Sequence, residues 1–170
     1  MANGVQRPVE VYKIHAIAFW ISVFAALLLQ TVLPLRFSMA RLIDFPLLVT
    51  IYFSLLRRNK IVAVGLGAGI GILQDAFSRG PVGPFGMAKT LVGYVAAWAS
   101  FKLDLEQPVT RFLLVAFCVL FHSLFLQALE RGLLESAPPF EPLDLASAVL
   151  VNVALALVLF QVLDRFKRLA

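Results

Sequence analysis

This chain is short of the side chains on which most protein chemistry is built. It has one cysteine and two histidines in 170 residues, and only 15% of its residues are charged. Cys118 lies in an apolar segment with no second cysteine to pair with, so a disulfide framework and a thiolate metal site are both excluded. There is no HExxH and no G-x-S-x-G, and the carboxylates fall almost entirely at the ends of apolar stretches, so neither a nucleophile nor a metal-bound water has support. Long polar segments that could house a soluble catalytic domain are missing too. The net charge of +5 comes from cations scattered between apolar runs rather than gathered on one stripe, which argues against nucleic acid.

What is present is apolar. Hydrophobic residues make up 61% of the chain, against about 45–50% in soluble domains, and the mean hydropathy is +0.89. Six spans of about twenty residues would consume most of such a chain. The pattern predicts an all-α integral membrane protein, one multi-pass domain with spans at about 14–34, 44–57, 61–77, 84–101, 111–131 and 145–163. The polar N-terminus lacks an A-x-A-like cleavage signal, so the first apolar segment reads as a retained span closed by Pro34, with His15 and Trp20 as interfacial anchors. The second span is short: the charge-free stretch between Asp44 and Arg57 would rise only about 18 Å as a helix. Asp44 with Pro46 two residues on reads as a helix start, and a short span or a re-entrant helix both fit. Asp144 reads as the N-cap of the last span.

Topology follows from the cations. Ten Lys and Arg fall on the side of the termini and four on the other, with Lys89 inside a span, so the positive-inside rule predicts that both termini are cytoplasmic.

The densest signal is residues 65–94, which hold eight of the ten glycines. Glycine costs an exposed helix about 1 kcal/mol relative to alanine, so four in seven residues need a reason. Gly65 and Gly69 share one helix face, and Gly67 and Gly71 share nearly the opposite one, giving two small-xxx-small patterns that let backbones approach in a bilayer. The expectation is a helix sandwiched between neighbours, with Gly93 on the next span as a further packing position. A dinucleotide fingerprint fails on spacing, because Ile70 and Ile72 stand where it needs glycine.

Several polar groups lie within the spans. Asp75 and Lys89 are at similar depth on adjacent spans, and either pair across the hairpin or reach the interface separately. Ser123, Gln127 and Glu130 follow at i, i+4 and i+7 on span five, with His122 near mid-depth and Asn152 on span six at a comparable level. Such groups serve as interhelical hydrogen-bond links, or, with Gln74, Asp75 and Lys89, line a pocket for a partner helix or ligand.

The order of features resembles the rod-shape determining protein MreD family of bacteria. The likeness lies in the length, the six-span pattern, the basic break YFSLLRRN at 52–59, and above all in Gly71-Ile72-Leu73-Gln74-Asp75, Gly80-Pro81-Val82-Gly83 and Leu91-Val92-Gly93-Tyr94. The resemblance implies an inner-membrane component of the elongation machinery for lateral peptidoglycan, binding the single-span protein MreC. It would act with the MreB filament, the RodA glycosyltransferase and its partner class B transpeptidase. The implied fold is similar to the S components of energy-coupling-factor vitamin transporters, with no catalytic residue, cofactor or metal. The leading expectation is therefore a non-enzymatic scaffold in the membrane, with a homodimer left open. The alternative is an S-component-like small-solute transporter subunit, for which Gln74, Asp75, Lys89, Gln127 and Asn152 would have to converge.

Overall fold

The computed structural model describes residues 12–14, 16–78, 80–105, 107–133 and 141–169. Six α-helices form a bundle: α1 Ala16–Arg36, α2 Phe45–Arg57, α3 Lys60–Phe77, α4 Pro84–Lys102, α5 Pro108–Leu133 and α6 Pro142–Asp164. A short 3-10 turn, Ser38–Leu42, precedes α2. Two three-residue strands, β1 Tyr12–Ile14 and β2 Lys167–Leu169, pair antiparallel and bring both ends of the described chain to one end of the bundle. His15 and residues 134–140 lie outside the described residues.

Among the described residues, five helical segments are long and apolar enough to cross a membrane: Ile17–Arg36, Ser38–Arg57, Lys60–Phe77, Pro108–Gly132 and Pro142–Asp164. The protein is thus a multi-pass helical membrane bundle. The expected sixth apolar span is the exception. Helix α4 has the length but not the hydropathy, because it carries Lys89, Thr90 and Ser100 in its interior and Lys102 at its end. Its surroundings explain why that is tolerated. It packs against α2, α3 and α5, and Lys89 and Ser100 are buried within protein rather than in lipid.

Helix α2 is the hub, in contact with all five other helices. Every residue from Pro46 to Leu56 is buried. Phe19 of α1 meets Phe53 edge to face at 4.8 Å, and Tyr52 lies against Phe160 of α6. The expected short second span is therefore a 13-residue helix extended by the 3-10 turn. Two predicted boundaries move. Pro34 lies inside α1 rather than closing it, since it sits in the last turn, where one lost hydrogen bond does not stop two further residues. The N-cap of α6 is Glu141, not Asp144, because Pro142 takes the first helical position and puts Asp144 in the first turn.

Helices α3 and α4 form the tightest pair in the bundle, and the glycines divide between its two faces. At Gly67 an added Cβ would overlap the Lys89 carbonyl oxygen and lie 2.9 Å from the Thr90 Cα; at Gly71 it would lie 2.6 Å from the Gly86 Cα. Gly93 repays the approach, its face lying against the Ala63 carbonyl. Gly65 and Gly69 meet nothing within 4 Å, so only one of the two glycine faces of α3 is packed; α3 also contacts α2, but not through that second face.

The turn between them is fixed by Asp75. Gly83, at φ +127°, makes the positive-φ turn before α4 but offers no side-chain cap. Asp75 supplies it from α3, accepting from the Phe85 N–H through Oδ1 (3.1 Å) and the Gly86 N–H through Oδ2 (3.0 Å). Asp75→Ala is expected to cost about 1–2 kcal/mol, read as a lower Tm in detergent, with Asp75→Asn recovering part of it. Equal stability of all three proteins would remove the cap.

Candidate functional site: a helix break beside a polar cavity

Ile43 and Asp44 are irregular backbone between the 3-10 turn and α2, half-buried toward one end of an apolar bundle. Backbone polar groups there need partners, since lipid offers none. They find them on distant helices. The Asp44 N–H donates to Asn152 Oδ1 of α6 (2.9 Å), the Phe45 N–H to Gln30 Oε1 of α1 (3.0 Å), and Asn152 Nδ2 donates in turn to the Leu42 carbonyl (2.6 Å). Asp44 caps its own helix, Oδ1 accepting from the Leu47 N–H at 2.9 Å.

The second Asp44 oxygen receives Lys89 Nζ of α4 at 2.7 Å. The Lys89 side chain is fully buried, and its other contacts are matched to a cation: the Phe85 ring face at 4.9 Å and His122 Nε2 of α5 at 3.3 Å. An ammonium has only donors, so Nε2 is the acceptor in that contact. His122 Nε2 is also 3.8 Å from Asp44 Oδ2, and its ring stacks on Phe85. Neither reading of Asp75 and Lys89 holds: they do not pair, and both are buried rather than reaching out separately. The Asp75 oxygens are taken by the start of α4, and Lys89 turns instead to Asp44, 45 residues away in sequence.

Above this network opens a cavity of about 490 Å³ at the end of the bundle where α3 turns into α4. Gln74, His122 and Asn152 are its buried lining; Ser123, Gln127 and Glu130 are half-buried along α5. Arg41, Glu141 and Asp144 are exposed at its mouth. Five of the seven residues expected at a pocket line it: Gln74, Ser123, Gln127, Glu130 and Asn152. Asp75 and Lys89 are not in its wall, and Lys89 bears on it through Asp44, His122 and Phe85, which are. Sequence reasoning missed the pocket role of Asp44, Gln30, Phe85 and the mouth residues. An acidic residue just before an unusually short apolar helix was the available signal for Asp44, since it marks a helix interrupted at depth.

At the opposite end, Asp164 of α6 accepts from the Tyr52 hydroxyl (2.9 Å) and from Arg111 Nη1 (2.9 Å), tying α2, α5 and α6 together. No group of three His, Cys, Asp or Glu among the described residues is placed to hold a metal.

The architecture and the cavity together define a class, a multi-pass helical membrane protein with a polar cavity at one end. No family model, curated protein or solved structure matches this chain.

Proposed function

We propose that this protein is a non-enzymatic inner-membrane scaffold of the bacterial cell-elongation complex, of the MreD type. In this reading it binds the transmembrane and adjoining periplasmic part of an MreC-like single-span partner, and through it supports lateral peptidoglycan synthesis and rod shape alongside MreB, RodA and the class B transpeptidase. Both termini are cytoplasmic, the cavity faces the periplasm, and the fold is of the S-component kind.

The observation that carries this reading is what the family-like residues do. Gly71, Asp75, Gly83 and Gly93 are where α3 and α4 touch backbone to backbone, where α4 is capped and where the turn has positive φ. A motif that fixes a rigid hairpin, with no reactive group in it, suits a platform for other proteins better than chemistry.

The expected result is that the tagged protein, solubilised in mild detergent, co-purifies the MreC-like protein of its own organism, and that depleting it rounds the cells. Failure to capture that protein, together with depleted cells that keep their rod shape, would sink the scaffold. A second reading, the solute-binding subunit of a transporter, is favoured by the cavity alone. A vitamin that raises the Tm, with no partner captured, would put it first.

A further inference from the structure

We infer that the cavity is a binding site for a primary ammonium group, carried by an ethanolamine lipid headgroup or by a free amine. The inference concerns the cavity itself and goes beyond the scaffold reading, standing or falling separately from it.

The sign of the charge comes first. Asp44 is neutralised by Lys89. That leaves Glu130, Glu141 and Asp144 on the wall and mouth against Arg41 alone, a surplus of carboxylate in a cavity bounded by low-dielectric helices. Acidic residues at a helix end would mean little by themselves. The second observation lies deeper. Gln74 is 6% exposed, lines the cavity, and its Oε1 is buried with no hydrogen-bond partner among the described residues. A buried acceptor left open is costly, and native interiors rarely keep one without a ligand, ion or water to fill it.

The other buried polar side chains of the lining are engaged, His122 Nε2 by Lys89. Asn152 is committed through both its oxygen and its nitrogen, and Gln30 through its oxygen. Gln74 is the acceptor still open, and Ser123 and Gln127 add further acceptor capacity between it and the Glu130 carboxylate. A primary ammonium has three donors and no acceptor, which is the complement of this wall. A volume of about 490 Å³ suits a headgroup or small amine. The cavity also lies at the level of helix ends, where lipid headgroups are found.

The test titrates the full-length protein in detergent with phosphatidylethanolamine, phosphatidylcholine and phosphatidylglycerol of the same chain length, and separately with free ethanolamine, reading Tm. Phosphatidylethanolamine is expected to act at about tenfold lower concentration than the other two lipids, since phosphatidylcholine keeps the positive charge but has no N–H and phosphatidylglycerol has no ammonium. Glu130→Gln and Gln74→Leu should each weaken that response about tenfold without moving the phosphatidylglycerol curve. If Gln74→Leu fails to fold, Glu130→Gln, isosteric and only half-buried, decides alone. A matching response to free ethanolamine names a soluble amine as the source; a response to the lipid only names the headgroup. Three indistinguishable lipids with ethanolamine silent, or a Glu130→Gln protein that responds like wild type, would overturn the site.

Discussion

Lys89→Met should destabilise the bundle by about 3 kcal/mol, the range found when one partner of a buried ion pair is removed. The substitution leaves the Asp44 carboxylate inside the protein with no cation, only 16% of its side chain exposed. It also strips the ring face of Phe85 and the acceptor nitrogen of His122 of their partner. Asp44→Asn should cost a comparable amount: an amide oxygen can still accept from the Leu47 N–H that starts α2, but the fully buried Lys89 ammonium is left without its carboxylate. The double variant Lys89→Met/Asp44→Asn should then be more stable than Lys89→Met alone, since no unpaired charge remains. Chemical or thermal unfolding of the four proteins in detergent gives the coupling directly. Simple additivity of the two single effects would show that the two side chains do not depend on each other.

The α3 glycines should split in two when each is changed to alanine. Gly67→Ala and Gly71→Ala are expected to lose about 2–3 kcal/mol, because the new methyl meets the α4 main chain, which cannot rotate aside as a side chain would. Gly65→Ala and Gly69→Ala, whose faces are open, should be neutral or gain up to about 1 kcal/mol from helix propensity. Leucine should sharpen the contrast, with Gly71→Leu preventing assembly of the hairpin and Gly69→Leu leaving the Tm unchanged. Equal losses at Gly69 and Gly71 would contradict the packing of α3 on α4.

How much of this the sequence shows depends on whether the signal is local. The polar line of Ser123, Gln127 and Glu130 was legible because i, i+4 and i+7 share a face whatever surrounds the helix. The helical membrane bundle was legible because charges bracket the apolar runs. The glycine faces were not. Gly65/Gly69 and Gly67/Gly71 are equally flat, and only the position of α4 decides which pair is covered. The partner of Lys89 was hidden for the same reason. Asp75 is near in sequence and at similar depth, whereas Asp44 arrives from another helix, and nothing periodic links the two. The identity of α4 as a helix of the bundle was plain, but its modest hydropathy makes sense only once α2, α3 and α5 are seen around it.

Because α2 is enclosed from Pro46 to Leu56, the bilayer does not act on it directly. A lipid-facing helix of 13 residues, about 20 Å long, would thin the surrounding membrane or tilt its neighbours. Here the hydrophobic mismatch falls to zero, and matching to membrane thickness is left to the five helices of the perimeter. The short helix can thus stop short of its neighbours at no elastic cost, and the recess this leaves is where Ile43, Asp44 and their polar partners on α1 and α6 sit.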